Sequence, residues 1–430
     1  MNPGARLSAA IEILDVIEMQ RRPAAEALKE WGTAHRYAGS KDRAALGSLV
    51  YDSLRVKSSA AYVMGSESAR AVLLGALREI RGLGSEAIAA LCTGEAYAPA
   101  QLSDEERGRL ESGSLDGAPD HVRGDYPAWL SEAFANAFGD TTVEEGRALA
   151  RRAPVDLRVN TLKVDRDKAA RSLAHLRPEP TGHAPNGLRI AIGEDGRAPA
   201  LAAEPAYVKG FVEIQDEGSQ IAALLGGAKP GMQVLDLCAG SGGKTLALAA
   251  IMENKGQIFA TDLDGRRLMP IYDRLARAGV RNVQVRAPKG RQTALDDLQQ
   301  RFDVVFVDAP CTGTGTWRRN PDAKWRLRPG ALEERIKAQD EILATAVSCV
   351  KPGGRLVYAT CSVLREENED RLQKLIEAHP NLLPLDATHM TREAGLPDLA
   401  AHASPHGPGL RLSPYRCNTD GFGIATLLVQ

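Results

Sequence analysis

Along residues 5–112, apolar positions return every three to four places. In ARLSAAIEILDVIEMQ the stripe is Ile11, Ile13, Leu14 and Ile17, which predicts an amphipathic helix. SKDRAALGSLVYDSLRVKSSAAYVM predicts another, with Ser40 as its N-cap. The stretch ESGSLDGAPDHVRGDYP (111–127) breaks this period with Gly, Asp and Pro, and predicts a linker. Residues 128–210 then mix a helical segment, PAWLSEAFANAFG, with strand-like pieces such as VDLRVNTLKV and GLRIAI. The pattern therefore predicts a helical domain over 1–112, a linker over 113–127 and a small α/β connecting domain over 128–210.

From residue 211 the period changes. Short apolar runs, VLDL (234–237), IFATD (258–262), VQV (283–285), DVVFVD (303–308) and RLVYATC (355–361), alternate with helical stretches, and FGIATLLVQ closes the chain. Alternation of this kind predicts a doubly wound, mostly parallel, Rossmann-like sheet wrapped by helices over 211–430. Such a fold binds ligands at the carboxyl ends of its strands, so the residues just after each run are the candidates for chemistry.

Bulk properties narrow the picture. A length of 430 residues accommodates two or three domains. The formal net charge of −1 excludes a global basic field, so any nucleic-acid surface must be local. The N-terminus carries charges inside its apolar pattern, unlike a signal peptide, and no apolar stretch reaches bilayer length. The six cysteines include no CxxC pair and no Cys/His cluster, which argues against a disulfide framework and a zinc site. The expectation is a monomeric cytoplasmic protein without membrane or metal partners.

After the first run comes DLCAGSGGKT (236–245), opening a helix. Its glycines allow a tight turn and close approach to a ligand. A phosphate-binding P-loop would need glycine at position 238, which is Cys238. A dinucleotide fingerprint started at Gly240 would need glycine at 245, which is threonine. S-adenosyl-L-methionine carries no phosphate and needs only a close-passing loop. Asp262, ending the second run, is then placed to bond the ribose hydroxyls, or alternatively to cap the next helix.

Asp308 and Cys311 follow the fourth run and Cys361 ends the fifth. If those strands are neighbours, two thiols and a carboxylate converge on one pocket. Methylation at a pyrimidine C5 wants that set. A thiolate adding to C6 makes C5 nucleophilic toward a methyl donor. A carboxyl group at N3 and the exocyclic amine stabilises developing charge, and a base removes the C5 proton. Spacing alone leaves open which thiol attacks.

The segments LDLCAGSGGKT, VDAPCTGTGTWRRNPDAKWRL, YATCSVLREENE and RLSPYRCNTDGFG resemble the RNA cytosine-5 methyltransferases of the RsmB/Sun type. LRVNTLK (157–163) and EIQDEGSQIAALL (213–225) fit that family's connecting segments, and residues 5–60 resemble the helical NusB-like domain of its bacterial rRNA members. The resemblance implies a Rossmann-like methyltransferase domain preceded by an all-α NusB-like domain, with S-adenosyl-L-methionine as cofactor and RNA, small-subunit rRNA first among RNAs, as partner. The same chemistry on tRNA, or a catalytically weak assembly factor, are the alternatives. It further implies Cys361 as nucleophile, Cys311 as the thiol assisting product release and Asp308 as the cytosine contact bordering the cofactor. Cys238, Ala239, Gly240, Ser241, Gly242, Gly243, Lys244 and Asp262 would hold the cofactor. Two positions depart from the family: Ser241 replaces a proline, and Pro288 stands near the place of an aspartate close to the adenine.

WRRNPDAKWRLR (317–328) interleaves cations with Trp317 and Trp325, a pattern for phosphates and stacked bases. Arg318, Arg319 and Lys324 are therefore expected RNA contacts, with Arg158 and Asn160 as further ones. Residues 255–291, with nine Lys/Arg against three Asp, form a second basic stretch.

Overall fold

The computed structural model describes residues 1–95, 97–193, 198–288, 295 and 297–430. Lys289 and Arg291 of the second basic stretch lie outside the described residues. The chain divides into two units. One comprises mainly Met1–Arg152 together with Trp317–Arg328; the other comprises Ala153–Ala191, Ala198–Thr316 and Pro329–Gln430.

The first unit is helical. The stripe read from Ile13, Leu14 and Ile17 is buried on the helix Pro3–Gln20, while Ile11 is half-buried. The helix Ser40–Arg55 begins one residue earlier than expected, with Gly39 at the cap and Ser40 inside the first turn. Leu46, Leu49 and Val50 of that helix pack with the first helix and with Leu73, Leu74 and Leu77 of the helix Ala69–Arg81 in one apolar cluster. The stretch 111–127 carries a short helix, Asp120–Arg123, and buries Tyr126 against Phe134 at 4.3 Å between ring centres.

The second unit opens with strands β1 (Val155–Val159), β2 (Glu179–Pro180), β3 (Gly187–Ile190) and β4 (Val212–Ile214). They form an antiparallel sheet in the order β2-β3-β1-β4. Among the described residues a second sheet holds eight strands. They are β5 (Gln233–Asp236), β6 (Gln257–Thr261), β7 (Val283–Arg286), β8 (Phe302–Asp308), β9 (Val350–Thr360), β10 (Leu382–Pro384), β11 (Leu410–Leu412) and β12 (Phe422–Val429).

The order is β10-β12-β9-β8-β5-β6-β7, with β11 on β12. Strands β5 to β9 run parallel, and β12 joins β9 antiparallel. Alternate residues of β8 serve opposite layers. Val305 and Val307 pack with Ile342, Leu343 and Leu372, whereas Val304 and Phe306 pack with Ile221, Leu225 and Leu248. Burial on both faces is why DVVFVD is a continuous apolar run instead of an alternating one. Sequence order reverses at β5, whose neighbours are β6 and β8, so the ligand crevice of the doubly wound fold lies beyond these strand ends.

Candidate active site

The turn after β5 is built for close approach. Gly242 N–H donates to Ala239 O at 2.8 Å, and Gly240 and Gly242 have φ of +51° and +88°. A Cβ at Gly242 would lie 2.5 Å from Ile271 Cγ1, so only glycine fits there. Gly243 opens the helix Gly243–Ile251. The turn is anchored from both sides. Arg274 donates to Ser241 O and Oγ at 2.9 Å and pairs with the buried Glu213 at 3.0 Å. Gln215 Nε2 donates to Gly243 O at 3.2 Å.

Asp262 follows β6 and is almost fully buried. It accepts from Gly240 N–H at 3.0 Å and from Asp264 N–H at 3.0 Å, and pairs with Arg267 at 3.1 Å. The cap of the next helix is Asp264, so Asp262 is left to face the glycine turn. A side chain on Gly240 would project to within 4 Å of Asp262 and Arg267, which marks a cradle between turn and acid. Below it, Asp236 at the end of β5 accepts from Thr245 Oγ1 at 2.6 Å, and its Oδ1 has no partner among the described residues. Burial pushes its carboxyl up to about 7. Burial likewise pushes the Cys238 thiol up, which makes it a packing residue of the turn. Pro288, after β7, stands 3.8 Å from where a side chain on Gly265 would begin, so it borders the loop beyond Asp262 and brings no carboxylate.

The pairing of β8 with β9 brings the remaining groups together. Asp308 is in register with Ala359, and Ala309 N–H donates to Ala359 O at 2.8 Å. Cys311 and Cys361 thereby meet with their sulfurs 3.4 Å apart. Gly315 N–H donates to Cys361 O at 2.9 Å. Beside them Lys244 Nζ donates to Asp308 Oδ2 at 2.7 Å and lies 5.1 Å from the Phe422 ring centre. Burial alone would lower the Lys244 ammonium, but the charges of Asp308, Cys361 and Asp236 outweigh it and raise it. The Cys311 thiol is pushed well above the ordinary range by its hydrogen bond to Cys361, by burial, and by the charges of Cys361 and Glu367. One thiol is thus held neutral against the other, with a lysine and a carboxylate alongside.

Four residues expected to touch RNA are turned inward. Arg318, Lys324, Arg158 and Asn160 are all buried. Lys324 Nζ donates to Arg55 O at 2.7 Å and Asp125 O at 2.6 Å, and Trp317 stacks on Phe134 at 5.7 Å. The segment Trp317–Arg328 belongs to the helical unit, where the Lys324 amino group, lowered to about 7 by burial, satisfies buried carbonyls. Arg158 donates to Gln215 Oε1 at 2.7 Å, and Asn160 Nδ2 donates to Gly210 O and Ala278 O at 2.9 and 2.8 Å. These bonds explain the burial of Lys324, Arg158 and Asn160: each found a main-chain or amide partner. Arg319 is half-buried. Arg274, inside the basic stretch 255–291, holds the glycine turn instead of facing outward as one more surface cation. Nothing in the sequence pattern singles out Glu367, Thr312 and Gln339 around Cys311, because an acid within REENE reads as a solvated helix start.

Residues 223–428 match the family model described as 16S rRNA methyltransferase RsmB/F, and residues 126–194 match the ferredoxin-like domain of RsmF/B-like methyltransferases. The chain belongs to the RsmB/F methyltransferase family. The family's cofactor is S-adenosylmethionine, and the cradle between the glycine turn and Asp262 fits it. The probable ribosomal RNA small subunit methyltransferase B of Synechocystis sp. is 32% identical over 305 residues, 70% of this chain and 66% of that protein. Ribosomal RNA small subunit methyltransferase B of Salmonella paratyphi A is 35% identical over 305 residues, again 70% and 66%. The crystal structure of PH0851 superposes with a TM-score of 0.72 at 26% identity, covering 99% of each chain.

Proposed function

We propose that the protein methylates C5 of a cytosine in RNA, small-subunit rRNA first, through a covalent adduct between Cys361 and C6 of the base. The observation that carries this reading is the placement of two thiols 3.4 Å apart beside the Lys244–Asp308 pair at the crevice of the sheet. Family membership supports rRNA as the substrate class. On this reading Cys238 to Lys244 and Asp262 hold the cofactor, which when bound supplies the methyl group as an electrophile.

Every other step falls to this chain and its substrate. Cys361 as thiolate adds to C6, and the ring electrons move to C5. Asp308, held by Lys244, is the group that bonds the cytosine edge and steadies charge developing in the ring. After C5 has been methylated its proton departs to a base, the C5–C6 double bond re-forms and Cys361 is expelled. Cys311, kept as a neutral thiol against Cys361, assists that expulsion. The cytosine must be unpaired or flipped to reach two thiols at a strand end.

Incubation with unmodified small-subunit rRNA and methyl-labelled cofactor tests the reading. Label in 5-methylcytosine that disappears in Cys361→Ala supports it. Label on a ribose or an exocyclic amine, or in tRNA alone, overturns the base position or the substrate class respectively.

A further inference from the structure

The turn that carries Cys311 is tied to a buried acid. Glu367, fully buried, accepts from Thr312 N–H at 2.8 Å and from Thr312 Oγ1. Gln339 Nε2, on the helix Ala331–Cys349, donates to the same carboxylate at 3.1 Å and to Pro310 O at 3.0 Å. The residues on either side of Cys311 are therefore fixed to one carboxylate–amide pair. Glu367 is itself held, because its carbonyl accepts from Tyr358 Oη on β9 at 2.7 Å. Three donors aimed at one carboxylate form hydrogen bonds that are stronger to a charged acceptor than to a neutral one.

We propose that Glu367 is the positioning residue for Cys311: it fixes the turn Pro310–Thr312 so that the Cys311 sulfur stays against Cys361, and it sets a negative charge beside that sulfur. The inference rests on the cytosine-5 reading for its consequence in turnover, but its geometric core does not depend on RNA. Two effects follow from one group. The hydrogen bonds to Thr312 and Pro310, through Gln339, set where the sulfur is. The negative charge opposes a second negative charge on Cys311, in line with the upward push on that thiol. A neutral Cys311 leaves the developing thiolate to Cys361 and retains a proton on the sulfur that faces the departing group. Glu367 is fully buried with its carboxylate bonded to Thr312 and Gln339, so its role runs through Cys311.

Glu367→Gln separates charge from geometry, since the amide oxygen still accepts from Thr312 N–H and Gln339. Alkylation of each cysteine by iodoacetamide, mapped by peptide mass spectrometry across pH 6–10 without RNA, reads the effect on Cys311. The expected result is alkylation of Cys311 at pH 8 faster by about tenfold in Glu367→Gln, with its pH profile moved to lower pH. With rRNA and cofactor, the same variant should accumulate a denaturation-resistant RNA–protein adduct while forming the methylated base. Glu367→Asp, which keeps the charge, should restore the wild-type pH profile. An unchanged Cys311 profile in Glu367→Gln, with the melting temperature also unchanged, overturns the proposal. If wild-type protein forms no 5-methylcytosine while the alkylation shift is present, the cytosine-5 reading fails and the Glu367–Cys311 coupling stands.

Discussion

Cys311 and Cys361 follow the ends of adjacent parallel strands, and their sulfurs lie 3.4 Å apart. Yet the two thiols are not equivalent. Cys311 is surrounded by Glu367, Thr312 and Pro310 and is held neutral. Cys361 faces the Lys244 side of the pocket, whose ammonium is stabilised partly by the Cys361 charge. The asymmetry supports the proposed assignment of attack to Cys361 and of release to Cys311.

Removing either thiol separates the two roles. Cys361→Ala should lower 5-methylcytosine formation by on the order of a thousandfold or more, since removing a nucleophile abolishes the covalent route. Cys311→Ala should still form the adduct and accumulate it, visible as a slower band on denaturing gels with labelled RNA. An adduct that accumulates in Cys361→Ala instead would reverse the two roles.

Lys324 gives a prediction opposite to the one its sequence context invites. Its amino group, lowered to about 7 by burial, bonds two main-chain carbonyls in the helical unit, where an internal hydrogen bond contributes about 0.5–1.5 kcal/mol. Lys324→Met should therefore lower the melting temperature clearly. The slope of RNA affinity against salt should stay that of the wild type, because no phosphate contact is removed. A reduced salt slope at unchanged melting temperature would return Lys324 to the RNA surface.

That contrast marks what was legible in the sequence. The apolar runs at 234–237, 258–262, 283–285, 303–308 and 355–361 correspond to β5 through β9, because burial on both faces leaves an unbroken apolar signature. The glycine turn was legible because φ values of +51° and +88° demand glycine at set positions, and Asp262 because it ends the apolar run 258–262. Strands β10 and β11, of three residues each, are too short to carry a period. The fate of Arg318 and Lys324 was hidden for another reason. A cation buried by bonds to carbonyls distant in sequence has the same local pattern as one lying in solvent, and no periodicity separates them. Glu367 was hidden in the same way.

Gly242→Ala tests the cradle. The left-handed φ costs a non-glycine residue roughly 1–2 kcal/mol, and the new Cβ would press on Ile271 at 2.5 Å. Cofactor affinity, read by calorimetry, should fall by about tenfold or more, since about 1.4 kcal/mol is a factor of ten. Far-ultraviolet circular dichroism should show the sheet intact. Wild-type affinity in this variant would mean the cofactor does not use the turn.

Asp236 makes stability depend on pH. Its carboxyl titrates at about 7 in the folded protein, against the ordinary 3.8 of an exposed aspartate. Between those values the folded state binds the extra proton, so stability falls as pH rises from about 4 to about 7. Asp236→Asn keeps an oxygen to accept from Thr245 and removes the titration. Its melting temperature should gain on the wild type on going from pH 5 to pH 8, by several degrees. Parallel pH curves for the two proteins would show that Asp236 does not titrate in this range.

Arg274 bears on how the glycine turn is held. Ser241 gives that turn no ring of the kind by which a proline would fix its backbone. Arg274 supplies a different restraint. One of its nitrogens donates to both Ser241 O and Ser241 Oγ, while another is held by Glu213, itself bonded to Arg277 at 2.6 Å. The guanidinium is thus fixed at one end before it grips the turn at the other. Arg274→Ala removes the grip without touching the thiols, Lys244 or Asp308. The expected outcome is a KM for the cofactor raised by about fivefold, the equivalent of one net hydrogen bond of about 1 kcal/mol. The kcat at saturating cofactor should change little, because the loss is of ground-state binding alone. Arg274→Lys should behave like the alanine variant, since a single ammonium cannot bond Glu213 and Ser241 in the same fork geometry. A fall in kcat at unchanged KM would instead place Arg274 in the chemical step.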